Sequence, residues 1–115
     1  MAQLFDEAEL MERLDNDAEF LAETVQMLET DGRALMVELK AAVASGDAPA
    51  IGRAAHTLKG MISNFCAPAV QLLALHAEHG GKGGDVAGAA VAAAKLEPAL
   101  EALIDELAAF VRART

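Results

Sequence analysis

The stretch AAHTLKGMISNF, residues 54–65, places a titratable histidine inside an apolar repeat of helical period. Ala55, Leu58 and Ile62 recur at steps of three and four residues, which is the spacing of one buried helix face. His56 falls at the edge of that face. The stretch therefore predicts a core helix that carries an imidazole at the margin between core and solvent.

The composition of the whole chain agrees with a helical protein. A length of 115 residues predicts one domain, residues 1–115, with a single modest core. Apolar residues make up 54% of the chain, and many of them are alanine, the strongest helix former. No segment shows the polar–apolar alternation of a half-buried strand, so an all-α bundle is expected.

Caps and glycines divide the chain into five or six helices. Asp6 with Glu9 three residues later resembles a capping box, and Gly46 follows the last residue of an apolar repeat. Gly32 marks a bend or break, GGKGGD (residues 80–85) is predicted to be a flexible linker, and Pro98 should kink or interrupt the last helix. The predicted helices cover about 6–14, 17–31, 32–45, 47–65, 68–79 and 85–111. Because the connections are short, we expect an antiparallel up-and-down four-helix bundle with one or two additional N-terminal helices.

Charge and cysteine content restrict the classes of partner. A net charge of −9 disfavours binding to nucleic acid or to anionic membranes. Cys66 has no second cysteine to pair with, which favours a reducing compartment. The chain has no apolar run of about 18 residues and no apolar signal core near its start. We expect a soluble cytoplasmic protein, and Met1 favours a free-standing one.

His56, Lys59 and Gly60 line one strip of the predicted helix, because residues three and four apart are neighbours on a helix surface. Neutral imidazole is a nucleophile, and a phosphoryl group on its Nε2 would gain from a cation at Lys59. A glycine inside a helix costs about 1 kcal/mol relative to alanine, and Gly60 would leave room for a phosphoryl donor. The plainer alternative is that His56 is packed or solvated, that Lys59 is a solvated charge, and that Gly60 only makes room for a neighbouring side chain.

The segment AHTLKGMISNF, residues 55–65, resembles the signature of histidine phosphotransfer (HPt) domains, the phosphocarriers of multistep two-component relays. Its pattern is roughly H-x-L-K-G followed by small residues and a Leu or Phe. The similarity extends to FDEAELMERLDNDAEFLAETVQMLETD (5–31), AAVASGDAPAIGRAAHTLKG (41–60) and LLALHAEHGGKGGD (72–85). It therefore covers nearly the whole chain.

The resemblance implies a role for each residue of the strip. His56 would be the phosphoacceptor, exposed in mid-helix, with Lys59 as its supporting cation and Gly60 as the steric gap. Family members often have Glu or Gln twenty-two residues after the histidine, on the next antiparallel helix, and here that residue is Glu78. It would accept a hydrogen bond from Nδ1 and leave Nε2 free to attack. The alternative for Glu78 is a solvated carboxylate near a helix end.

Two positions depart from the family pattern. Cys66 stands where the family commonly has glycine, which puts the geometry of the turn in question. Met61 stands where a small residue is usual, and it either enlarges an apolar docking surface or fills the core. Cys66 itself is expected to be a buried small hydrophobe.

Two other interpretations are set aside. His76 and His79 have a spacing that could ligate a metal from one helix face, but no clear second pair of ligands accompanies them. The glycines of residues 80–85 lack the spacing of a phosphate-binding loop. We therefore expect no metal and no cofactor on this chain.

The resemblance implies a monomeric phosphocarrier rather than an enzyme. It would accept a phosphoryl group from the receiver domain of a hybrid histidine kinase and pass it to the receiver of a response regulator, with Mg²⁺ held by the receiver. An exposed apolar patch is expected beside His56, on the helices flanking the turn at Cys66, and Arg53 should add to a locally basic site. The alternatives are a helical scaffold that is never phosphorylated and the histidine-bearing module of a chemotaxis-type kinase.

Overall fold

The protein folds into α-helices that follow its caps and apolar repeats. A computed structural model describes residues 3–114, so residues 1, 2 and 115 of the predicted domain lie outside the described residues. The helices are α1 (Glu7–Arg13), α2 (Ala18–Met27), α3 (Arg33–Ser45), α4 (Ala48–Ser63), α5 (Pro68–Lys82) and α6 (Val86–Arg112). Residues 3–114 contain no strand. The all-α prediction is confirmed.

Aspartate side chains fix where four of the helices begin. Each accepts a hydrogen bond, 2.9–3.1 Å long, from the backbone N–H three residues later. These aspartates are Asp6, Asp17, Asp47 and Asp85. Gly46 ends α3 in the left-handed conformation, with φ at +68°. The start of the helix that bears His56 is therefore set by its own sequence.

The four-helix bundle closes on itself. α2 and α3 form one long helix, joined by a π-helical turn at Leu28–Gly32, so the predicted break at Gly32 is a local change of winding. α3 packs against α4, α4 against α5, and α5 against α6, which returns to α2 and α3. α1 is the additional N-terminal helix. Phe5, which precedes α1 in the sequence, is buried and makes an edge-to-face contact with Phe110, with ring centroids 5.2 Å apart.

Pro98 does not interrupt α6, so an interruption, one of the two predicted outcomes, is wrong. The helix buries Leu96 and Leu100 on either side of the proline, and packing against the core keeps it continuous. Pro98 itself is exposed, and so is Ala94, whose carbonyl loses its usual helical donor. None of the helices in residues 3–114 combines the length and apolar character needed to cross a membrane.

The predicted linker at residues 80–85 is also partly wrong. Gly80 and Gly81 belong to α5, and the break covers residues 83–85. A Cβ on Gly80 would lie 2.9 Å from the backbone nitrogen of Ala89 in α6. A Cβ on Gly81 would lie 2.5 Å from that of Gly52 in α4. These glycines allow neighbouring helices to approach closely, and packing overrides their weak helix propensity.

Cys66 takes the backbone conformation that glycine usually supplies. Its φ is +56°, in the left-handed region, at a cost of about 1–2 kcal/mol for a residue with a side chain. Its carbonyl accepts a 3.0 Å hydrogen bond from the Asp6 backbone, and its side chain is buried. Burial raises the pKa of the Cys66 thiol, in agreement with its expected role as a small hydrophobe.

Candidate functional site

His56 lies on the outer edge of α4, about midway along the helix. The core face of α4 buries Ile51, Ala55, Leu58 and Ile62, and this pattern leaves the imidazole outside the core. The His56 side chain is 63% exposed. The ring can therefore be reached from solvent, as the position of His56 at the edge of the apolar face predicts.

Glu78 is the buried centre of a polar cluster that we call the Glu78 cluster, made of His56, Lys59, Glu78 and Lys82. The antiparallel packing of α4 and α5 brings Glu78 opposite His56, and the residue is only 1% exposed. Its Oε2 lies 2.6 Å from His56 Nδ1 and 2.7 Å from Lys82 Nζ. Its Oε1 lies 2.6 Å from Lys59 Nζ. Both carboxylate oxygens therefore have partners.

These contacts keep Glu78 ionised. Burial alone would raise the pKa of the carboxyl group, because a charged group is disfavoured away from water. Hydrogen bonds from Lys59, Lys82 and His56 outweigh that effect and lower the pKa to about 2. Glu78 is thus a carboxylate throughout the physiological pH range.

The charge state of Glu78 determines which nitrogen of His56 carries the proton. A carboxylate can only accept hydrogen bonds, so the 2.6 Å contact requires a proton on Nδ1. In the neutral ring, Nε2 then carries the lone pair. The exposed imidazole is held in the tautomer that presents an unprotonated nitrogen to a visiting group.

Lys82 is the member of the cluster that the sequence interpretation missed. It lies four residues after Glu78, the spacing of an ion pair on one helix face, but the glycines of residues 80–85 predict a linker there. Recognising that α5 continues through Gly80 and Gly81 would have revealed it. Two ammonium groups facing one carboxylate leave one positive charge beside the ring.

Arg53 adds a further cation on the same side of α4. With His56 and Lys82 it lines a shallow hollow of about 370 Å³. Lys59 lies deeper, with 25% of its side chain exposed, against 63% for Lys82. Basic groups therefore surround the imidazole, although the chain carries a net charge of −9.

Gly60 lies one turn after His56 on α4. A Cβ built there meets nothing within 4 Å, so contacts with the rest of residues 3–114 do not explain the glycine. The site thus brings together His56, Lys59 and Glu78, with open space at Gly60. Their roles in phosphotransfer remain predictions.

The exposed apolar surface differs from the predicted one. Phe20 and Met27 of α2 are exposed and border a groove of about 390 Å³, which Met61 and Phe65 also line. The prediction placed the patch on α4 and α5, but α5 contributes only Leu72 to the large exposed apolar side chains. α2 contributes Phe20 and Met27 to this groove, and α4 contributes Met61, so the groove lies beside the end of α4 and not on α5.

The two histidines of α5 were candidate metal ligands. His76 and His79 are both exposed on α5. Within residues 3–114, His, Cys, Asp and Glu side chains form no group of three or more that could hold a metal ion.

A family model described as the Hpt domain matches residues 23–110, which include every member of the Glu78 cluster. No curated protein and no solved structure gave a match. The matched range extends from the middle of α2 to the last turns of α6.

The lowered pKa of Glu78 predicts acid-sensitive stability. The carboxyl group has an ordinary pKa of 4.5 when unfolded and one of about 2 when folded. Its stabilising effect is therefore complete above pH 4.5 and is lost as the pH falls towards 2. We expect this group to contribute about 2–3 kcal/mol to the pH dependence of the free energy of unfolding.

Urea denaturation at several pH values between about 6 and about 2.5 measures this contribution, as the difference between the wild type and Glu78→Gln. Glu97→Gln is the matched control, because Glu97 forms an exposed ion pair with Lys40 and should keep the wild-type slope. Equal slopes for the wild type and Glu78→Gln would show that Glu78 is not held ionised by the cluster.

Proposed function

The chain belongs to the Hpt domain family, whose members serve histidine phosphotransfer in two-component systems, and we propose that His56 is its phosphoacceptor. The donor in this proposal is an aspartyl phosphate on the receiver domain of a hybrid histidine kinase. The acceptor is the aspartate of a response regulator's receiver. The contact between the exposed His56 ring and buried Glu78 supports the proposal most strongly, because it leaves the Nε2 lone pair free.

Phosphoryl transfer in this proposal exchanges one bond for another. The Nε2 lone pair attacks phosphorus in line, and an N–P bond forms as the P–O bond to the aspartate breaks. The aspartate leaves as a carboxylate. The Nδ1 proton stays in its hydrogen bond to Glu78, whose negative charge stabilises the positive charge that develops on the ring. The reverse sequence delivers the phosphoryl group to the second receiver.

Lys59 and Lys82 have two roles in the proposed mechanism. In the free protein, Lys59 and Lys82 neutralise Glu78. An ammonium group has three N–H donors, so each lysine can keep its contact with Glu78 and offer another donor to a phosphoryl group. The excess positive charge would then offset the new negative charge on Nε2.

Receiver domains, as partners of the family, supply the rest of the reaction. We propose that the receiver holds Mg²⁺ and the aspartate, while this chain contributes the nucleophile and its surrounding charges. All four members of the Glu78 cluster come from one chain, which supports a monomer as the working unit. We place the relay in the cytoplasm, where a single buried cysteine such as Cys66 stays reduced.

The test of this proposal is a labelling experiment with two separate donors. A receiver domain carrying labelled aspartyl phosphate is expected to transfer the label to the protein, where it should be acid-labile and base-stable. His56→Gln should remove the label, whereas His76→Gln, at an exposed position on α5, should keep it.

A kinase catalytic domain with ATP is the second donor. Label only from the kinase would contradict the relay and indicate a chemotaxis-type module. Label from neither donor, with the protein folded, would indicate a scaffold.

Lys82 is predicted to prolong the lifetime of the phosphorylated protein. Lys82→Ala removes one cation near the phosphoryl group and should speed hydrolysis about two- to fivefold, as expected for an interaction of 0.5–1 kcal/mol at an exposed site. Decay of the labelled protein after removal of the receiver measures this rate.

Lys82→Arg should restore most of the lifetime, because it keeps the charge. Lys95→Ala, at an exposed position on α6, is the control and should decay like the wild type. Identical lifetimes for Lys82→Ala and Lys95→Ala would exclude an electrostatic role for Lys82.

A further inference from the structure

We propose that Gly81, which is not a member of the Glu78 cluster, is a positioning residue that fixes the tautomer of His56 by setting the separation of α4 and α5. This inference deepens the proposed function, on which its consequence for phosphotransfer rests. The tautomer itself can be measured without any transfer. The proposal starts from the glycine crossing, which we define as the contact between Gly52 of α4 and Gly81 of α5.

The backbones of α4 and α5 come unusually close at the glycine crossing. A Cβ on Gly81 would lie 2.5 Å from the Gly52 nitrogen, 2.9 Å from the Gly52 Cα and 2.9 Å from Ile51 Cγ2. Real Cβ atoms essentially never come within 3.0 Å of such atoms, and two of these three atoms belong to the backbone. Any side chain at position 81 would therefore force the helices apart.

The glycine crossing lies one helical turn from the His56–Glu78 contact. Gly52 precedes His56 by four residues on α4, and Gly81 follows Glu78 by three residues on α5. Because the two helices run antiparallel, both pairs lie at neighbouring levels of one interface. A change of separation at the crossing is thus transmitted to the hydrogen bond.

Gly52 has a related effect on Lys82. A Cβ on Gly52 would lie 3.5 Å from Lys82 Cγ and 3.7 Å from the Lys82 nitrogen, which are ordinary contacts. The lysine stem therefore lies along α4 at Gly52 and brings its ammonium group 2.7 Å from Glu78. The crossing thus also positions a cation of the cluster.

The hydrogen bond between His56 and Glu78 is short enough to be sensitive to a small shift. Its length is 2.6 Å, and a separation larger by about 0.5–1 Å would bring it to the limit of a useful hydrogen bond. Glu78 cannot simply follow the ring, because it is 1% exposed and held by two lysines. An imidazole that loses its Nδ1 partner exchanges its proton between both nitrogens.

The neighbouring glycine provides a matched control. Gly80 faces α6, where a Cβ would lie 2.9 Å from both Cβ and the backbone nitrogen of Ala89. Gly80→Ala and Gly81→Ala thus introduce the same methyl group one residue apart, and both clash, but against different helices and with a nearest approach of 2.9 Å and 2.5 Å respectively. Loss of packing alone would affect both variants, whereas only Gly81→Ala opens the interface that contains His56 and Glu78.

The test uses ¹⁵N NMR of the histidine side chains in the unphosphorylated protein. The wild type should show a protonated Nδ1 on His56, and Glu78→Ala should show the ring without its partner. Gly81→Ala is expected to raise the population of the Nε2–H tautomer several-fold, towards that of Glu78→Ala. Gly80→Ala should match the wild type, and the exposed His76 and His79 serve as internal references.

Gly52→Val is the second variant, because a Cβ there would already contact Lys82 Cγ at 3.5 Å and the two γ-methyl groups would extend beyond it at the same crossing. It should shift the tautomer in the same direction by a smaller amount, and it remains informative if Gly81→Ala does not fold. A folded Gly81→Ala with the wild-type tautomer, or an equal shift in Gly80→Ala, would overturn the proposal. If Gly81→Ala does not fold, a wild-type tautomer in folded Gly52→Val would overturn it.

Phosphotransfer from a labelled receiver is measured on the same variants. Slower labelling of Gly81→Ala than of Gly80→Ala is expected. A shifted tautomer in a protein whose wild type accepts no label would contradict the proposed function and support the positioning role. Normal labelling of the wild type with no shift in Gly81→Ala or Gly52→Val would contradict the positioning role alone.

Discussion

The buried carboxylate of Glu78 is the interaction on which the rest of the site depends. A charge in a protein interior costs several kcal/mol unless it is paired and hydrogen-bonded. Glu78 meets this requirement with Lys59, Lys82 and Nδ1 of His56, all within 2.7 Å. The same contacts orient the ring, select its tautomer and gather positive charge beside it. The contacts that compensate the buried charge of Glu78 therefore also leave an exposed imidazole whose Nε2 is unprotonated.

The bundle supports this arrangement through the small residues between α4 and α5. Gly52 and Gly81 meet there, and a Cβ on Gly81 would lie 2.5 Å from the Gly52 nitrogen. The lack of side chains at this crossing allows the two helices to approach, so Glu78 of α5 can reach His56 of α4. The glycine crossing thus contributes to the spacing of the groups in the site.

Local rules were sufficient to predict much of the fold and part of the site. The cap at Asp6, the helix end at Gly46 and the apolar repeat of α4 follow from interactions within a few residues, and each is confirmed. The second half of the capping box is wrong, because the Asp6 N–H donates to the Cys66 carbonyl and Glu9 pairs with Arg13. The position of His56 at the edge of a buried face follows from helix geometry alone. Its contact with Glu78 was anticipated only through resemblance to a family, because it depends on the packing of two helices.

Interactions between helices explain the features that the sequence did not predict. Gly80 and Gly81 suggested a linker by their propensity, but packing against α6 and α4 keeps them helical and brings Lys82 into the site. Packing likewise keeps α6 continuous through Pro98. The apolar groove is lined by residues of α2 and the end of α4, whereas the predicted patch was on α4 and α5. In each case a distant partner decided the outcome, and a single sequence read locally does not reveal that partner.

The most direct test of the proposed mechanism is to identify which nitrogen of His56 is phosphorylated. Phosphorylated protein with ¹⁵N-labelled histidine would show, by coupling between phosphorus and nitrogen, which atom of His56 carries the phosphoryl group. The account predicts Nε2, with Nδ1 still protonated and hydrogen-bonded to Glu78. A phosphoryl group on Nδ1 would contradict this mechanism, because Nδ1 is the nitrogen that donates a hydrogen bond to the buried carboxylate of Glu78.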